Sequence, residues 1–198
     1  AIVSLQLMLD RGQSKYWFES GEILFELIIA LLALYLFTVH LFTHKNAYID
    51  PRVFRDRNFN LGLLFMFLLG VIMLATMALF PPYLQTLLGY PVLDAGLILA
   101  PRGGGTMLAM LLCSAVMERS LVSPRYVIVT GLVLIVFSMW KMTGFNINVT
   151  HAMITWTGIV QGFGLGLIFV PLSTLAFATL DAELRTEATS IFGLARTI

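Results

Sequence analysis

The sequence predicts an all-α fold, a polytopic membrane helical bundle, and three observations carry that expectation. Hydrophobic residues fill 59% of the 198 positions and charged residues only 12%, about half the ~25% of a soluble domain. Mean hydropathy is +0.90. Five apolar stretches each reach the ~20 residues a helix needs to cross the hydrocarbon layer, and none shows the period-two alternation of a closed barrel.

The elements follow in order. Residues 1–9 read as the tail of a hydrophobic span, because "AIVSLQLMLDRGQ" has neither the basic start nor the cleavage site of a signal peptide. Complete spans are expected at about 21–43, 61–88, 92–117, 126–145 and 151–179, and a further helix begins near 188. The chain is therefore expected to be part of a longer, transporter-sized protein. Pro81 and Pro82 are expected to end or kink the second span, since proline removes a helical N–H donor. Connections are short, so successive helices should run antiparallel.

Loop charges orient the bundle. One side receives Lys45, Arg52, Arg55, Arg57, Arg119, Arg125 and Arg185; the other receives Arg11 and Lys15, with Lys141 near it. An excess of Lys and Arg marks the cytoplasmic side, which assigns loops 44–60, 118–125 and 180–187 to the cytoplasm. Tyr16, Trp17, Tyr83, Tyr90 and Trp140 then fall near the outer interface. The loop "HKNAYIDPRVFRDRNFN" reads first as a solvated connector, and second as a surface-lying segment with Val53, Phe54 and Phe59 inward.

Several functions are disfavoured. Net charge is +1, and no basic cluster suggests nucleic acid as a partner. Cys113 has no second cysteine to pair with, and only His40 and His44 share a ligand-like spacing, at a membrane exit. No metal site, cofactor or catalytic constellation is expected, and so no enzyme.

The third span holds an anomaly, "LILAPRGGGTMLAML". Arg102 lies about ten residues, roughly 15 Å, into a span that crosses ~30 Å of hydrocarbon. A mid-membrane arginine costs about 2.5–3.5 kcal/mol on insertion scales, and each interior glycine about 1 kcal/mol against alanine. Arg102, Thr106, Ala109 and Cys113 recur on one helical stripe, and Gly96, Ala100 and Gly104 on a second. The polar stripe faces either the transport path or a partner helix, with Arg102 paired to a carboxylate or carbonyl. The small-residue stripe, Gly104 included, is expected to pack closely.

The fifth span, "TGIVQGFGLGLIFVPLSTLAFATL", carries Gly158, Gly162 and Gly166 at a spacing of four, a close-packing face. Gln161 is either an interhelical hydrogen-bond donor or a lining residue of the path. Pro171 removes a backbone donor, so another group must satisfy the carbonyl it frees. The glycines are not a phosphate loop, which requires a preceding strand and GK[ST].

Four ordered motifs carry a family resemblance. "IVQGFGLGLIFVPLSTLAFATLDAELRTEATSIFGLARTI", "LQLMLDRGQSKYWFESGEI", "IDPRVFRDRNF" and "AGLILAPRGGGTM" together resemble the EmrB/QacA-type fourteen-span drug:proton antiporters of the major facilitator superfamily, end to end along the chain. The resemblance implies that 1–58 is the end of linker span seven, linker span eight and a cytoplasmic loop. It implies that 59–198 holds spans nine to twelve and the start of thirteen, in the C-terminal six-helix half. Spans 61–88 and 151–179 would then line a central cavity. Arg102, Thr106, Gln161 and Pro171 become candidates for the transport path. "SAVMERSLVSPR" keeps the acid–Arg pair of a cytoplasmic gating motif as Glu118 and Arg119, with Arg125 beyond, although Ser114 replaces its first glycine and the spacing is longer. The implied function is proton-coupled export of amphipathic small molecules from the inner membrane, with a periplasmic adaptor and an outer-membrane channel as partners. The proton-carrying acid is implied in the other half of that fold. A narrow-substrate exporter of metabolites or siderophores, and a non-transporting membrane subunit, are the alternatives.

Overall fold

The computed structural model describes residues 2–43, 51–119 and 122–197. They form α1 (Ile2–Gly12), α2 (Gly21–Thr43), α3 (Arg57–Pro82), α4 (Val92–Glu118), α5 (Pro124–Thr143), α6 (His151–Phe177) and α7 (Arg185–Thr197). Among these, α2 to α6 are long and apolar enough to cross a membrane, and their ends fall within a few residues of the expected ones.

α1 and α2 form a hairpin through two 3₁₀ turns, Gln13–Lys15 and Trp17–Glu19. The turn is tight enough to place Tyr16 and Trp17 at φ 57° and 50°. The Trp17 ring lies against Gly12, where a Cβ would come within 2.6 Å of it. Glu22 closes the hairpin by accepting from Lys15 and pairing with Arg11 at 3.6 Å. Along the rest of α2 most side chains are exposed, as suits a helix bathed in lipid.

The connector after α2 departs from the simplest expectation. Residues 44–50, with Lys45, lie outside the described residues, but Pro51–Arg55 forms a 3₁₀ turn that folds inward. Val53 is 0% exposed and joins Phe59, Leu180, Ala188 and Phe192 in the main core, while Phe54 stays outside. Residues 51–56 thus plug the arginine-rich end of the bundle, because burying one valine outweighs leaving the connector solvated. Asp56 follows as the N-cap of α3, accepting from the Phe59 N–H at 2.9 Å.

The regular α-helix of α3 ends at the two prolines, as expected. The α-helix runs through Pro82 and loosens into a π turn, Tyr83–Leu87, in which the Leu88 N–H donates to the Tyr83 carbonyl at 3.2 Å. Widening the turn after consecutive prolines restores backbone pairing where the α pattern has lost donors. Gly89, at φ 70°, then reverses the chain into α4.

α6 is the hub, with α3, α4 and α5 packed around it. Its side against α5 is a glycine seam: a Cβ on Gly131 would lie 2.7 Å from the Gly164 carbonyl, and one on Gly164 2.8 Å from the Gly131 carbonyl. Ser138 of α5 crosses the same seam, donating to the Thr157 carbonyl at 2.7 Å. At the arginine-rich end α3 meets α6 where Gly62 faces Ala176, and α7 lies along α3 with the Arg196 carbonyl against Gly70. Phe59, Phe177 and Phe192 cluster there, with ring centroids 5.3–6.4 Å apart.

Candidate functional site

The two stripes that stood out in separate spans meet each other. A Cβ on Gly162 would strike the Arg102 carbonyl and lie 2.9 Å from the Thr106 hydroxyl. One on Gly166 would strike the Thr106 carbonyl and lie 2.7 Å from the Ala109 Cβ. Gly158 is looser, 3.7 Å from the Arg102 Cβ. From α4's side, Gly105 makes the reciprocal approach, 2.7 Å from the Ile159 carbonyl. Close approach lets the backbones touch, which is how small residues join membrane helices without a hydrophobic driving force.

Gly104 requires a correction. Expected as a packing residue, it meets nothing within 4 Å among the described residues, nor does Gly96. Consecutive helical residues are turned by about 100°, so only one of three adjacent glycines can face a given neighbour. That glycine is Gly105.

Pro171 is buried within a continuous α6. Its missing N–H would have bonded the Leu167 carbonyl. That carbonyl instead receives the Cys113 thiol of α4 at 3.9 Å, a weak bond that also draws the end of the polar stripe against α6.

Beside the α4–α6 seam, α3 stands off and leaves a cavity of about 260 Å³. Met73, Thr76, Met77, Phe80 and Pro81 of α3 form one wall, Leu99, Arg102, Gly103 and Thr106 of α4 a second, and Leu165 and Phe169 of α6 the third. No Asp or Glu is among these residues. The Arg102 Nη2 is buried with no hydrogen-bond partner among the described residues. Both wall hydroxyls are committed: Thr76 donates to the Ile72 carbonyl at 2.6 Å and Thr106 to the Arg102 carbonyl at 3.1 Å. Gln161, 0% exposed, stands behind the wall and donates to the Thr76 hydroxyl at 3.1 Å. Of the four path candidates, Arg102 and Thr106 line the cavity, Gln161 supports it from behind, and Pro171 sits in the helix–helix contact. Thr76, Met73, Met77 and Phe80 were invisible to sequence reasoning, because such residues look the same whether they face lipid or a cavity.

At the arginine-rich end, Glu118 closes α4 beside Ser114, 3.3 Å from its hydroxyl. Arg119 and Arg125 are exposed, and no ion pair joins the three among the described residues. The loop's Ser120 and Leu121 lie outside those residues. Asp56 is tied to the end of α6: the Thr179 hydroxyl, then the Phe59 N–H, stabilise its carboxylate and lower its pKa from the usual 3.8.

A cavity of small-molecule size inside a bundle of membrane-spanning helices is what a membrane transporter offers its cargo. The chain belongs to the Major Facilitator Superfamily, whose family model matches residues 17–198. Among its relatives, the multidrug export protein EmrB of Escherichia coli (strain K12) is 30% identical over 200 residues, covering 100% of this chain and 38% of that protein. The fatty acid resistance protein FarB of Neisseria gonorrhoeae is 31% identical over 199 residues, again 100% and 38%. The lincomycin resistance protein LmrB of Listeria monocytogenes is 27% identical over 172 residues, 87% and 36%. The chain thus spans less than two-fifths of the length of these relatives. It is a multi-pass member of a membrane-transporter family, and its relatives include a multidrug export protein and a fatty acid resistance protein.

Proposed function

We propose that the full protein exports amphipathic small molecules across the inner membrane in exchange for protons, by alternating access. The observation that carries this reading is the cavity beside Arg102, with its methionine and phenylalanine walls. Flexible apolar walls accept varied shapes, and one fixed polar point orients the cargo. Arg102 and Thr106 act at the cavity, with Gln161 and Pro171 as its support. Residues 59–198 supply spans of the C-terminal half and 1–58 the linker region. A periplasmic adaptor and an outer-membrane channel, the partners that the family resemblance implies, would carry the cargo onward. A guanidinium stays protonated at working pH, so Arg102 is not the proton carrier.

The test uses inverted membrane vesicles holding the full-length protein. Imposing a proton gradient should drive uptake of a fluorescent amphiphile, and adding the amphiphile should dissipate the gradient. Uptake that survives collapse of the gradient overturns the proton coupling. No uptake of any amphiphile, with the protein present in the membrane, overturns export.

A further inference from the structure

The wall beside Arg102 has a polarity that generic apolar binding does not require. We infer that this cavity selects amphiphiles bearing a single negative charge, with Arg102 as the residue that reads the charge; the inference rests on the export reading above and deepens it. The buried Arg102 Nη2 has no hydrogen-bond partner among the described residues. A buried donor left unpaired is costly, and more so when charged. The other side-chain donors at the wall are spent, Thr76 on the Ile72 carbonyl, Thr106 on the Arg102 carbonyl and the Gln161 amide on Thr76. Among the described residues no carboxylate lines the cavity to neutralise the arginine or to attract a cation. A carboxylate head would supply the missing acceptor in the planar, two-pronged geometry that suits guanidinium.

Position and size narrow the ligand. Gly162 lies against the Arg102 carbonyl and Gly158 near its Cβ, so α6 fixes the backbone that presents the guanidinium. At about 260 Å³ the cavity sits near the lower end of small-ligand pockets, ~300–1,000 Å³. That suits a compact single-bodied amphiphile. Phe80, Phe169, Met73 and Met77 offer ring and thioether contacts to an aromatic body.

The experiment uses purified full-length protein in detergent and three probes of one shape: 2-naphthoate, 2-naphthalenemethanol and 2-naphthylmethylammonium. Binding is read by equilibrium dialysis for the wild type, Arg102→Lys and Arg102→Met. The wild type should bind the carboxylate roughly tenfold to a hundredfold more tightly than the alcohol, and the ammonium most weakly. Arg102→Met should bring the carboxylate-to-alcohol ratio close to one, and Arg102→Lys should restore part of it. Equal wild-type affinity for carboxylate and alcohol overturns the inference without recourse to any variant. So does an undiminished preference in Arg102→Met. Vesicle uptake of the same probes separates the two readings: proton-driven uptake blind to charge overturns charge selection and leaves export standing. A carboxylate preference in binding without any uptake upholds the selection and overturns export.

Discussion

Gly162→Ala is the sharpest perturbation of the α4–α6 seam. The added Cβ meets the Arg102 carbonyl and comes within 3.0 Å of its carbonyl carbon and 2.9 Å of the Thr106 hydroxyl. A backbone carbonyl held in a helix cannot swing aside as a side chain can, so the helices must separate. Overpacking of this kind costs about 1–3 kcal/mol, and a backbone clash belongs at the upper end. Alanine returns about 1 kcal/mol of helix propensity, leaving a net loss of about 2 kcal/mol. The control is Gly104→Ala, two residues from Arg102 on an open face with nothing within 4 Å; there only the propensity gain applies. Thermal unfolding of the full-length protein in detergent should show Gly162→Ala destabilised and Gly104→Ala equal to or above wild type. Equal melting temperatures, or a larger loss at Gly104, would refute the assignment of the buried seam to Gly162.

Asp56→Ala removes the cap of α3 and should cost about 0.5–2 kcal/mol, measured as a lower melting temperature, with Asp56→Asn close to wild type at neutral pH. Because the folded-state pKa of Asp56 is depressed, its stabilisation is full above the ordinary carboxylate pKa and lost as pH falls through the depressed value. Melting curves between pH 3 and 7 should therefore show an acid loss in the wild type that is smaller in Asp56→Asn. Cys113→Val strips the Leu167 carbonyl of its donor and should lower stability, whereas Cys113→Ser, which keeps an O–H, should do so less; indistinguishable melting temperatures would show that the thiol contact is idle. In a Cys113→Ser background, a cysteine at Ser123 should react with an impermeant maleimide only from the cytoplasm and one at Asn148 only from outside; the reverse pattern would invert the orientation drawn from the loop cations.

How far the sequence alone reached depends on which physical signal each feature leaves. Spans are written in hydropathy, a property of each stretch by itself, and α2, α4, α5 and α6 begin and end within a few residues of expectation. The stripe of Arg102, Thr106, Ala109 and Cys113 is equally local, being a period along one helix. Its partner is not local: Gly158, Gly162 and Gly166 announce a close-packing face without naming the helix that fills it. For the same reason the small-residue stripe points to Gly104 where the seam uses Gly105, since a run of three glycines encodes closeness but not direction. Pro171 implied an orphaned carbonyl, and nothing in the chain could point 54 residues back to Cys113. Val53 is legible only in the second reading of its loop, because a single valine among arginines and aspartates barely registers in a hydropathy window; it and Phe59 are fully buried, while Phe54, expected beside them, is exposed.

The location of the cavity follows from the same contrast in residue size. α6 meets α4 through Gly105, Gly162 and Gly166, and α5 through Gly131 and Gly164, so in both seams backbone lies on backbone and no room remains for a ligand. α3 meets α6 closely only near Gly62 and Ala176, at the arginine-rich end. Higher up, α3 presents Met73, Met77 and Phe80 toward α4 and α6, and long side chains hold helix axes apart where glycines would draw them together. The gap opens beside Arg102, where one wall is fixed by the seam and the opposite wall is built of flexible thioethers and an aromatic ring. A charge held still by a rigid seam, facing walls that can repack, permits one cavity to be strict about the head of its ligand and tolerant of the body.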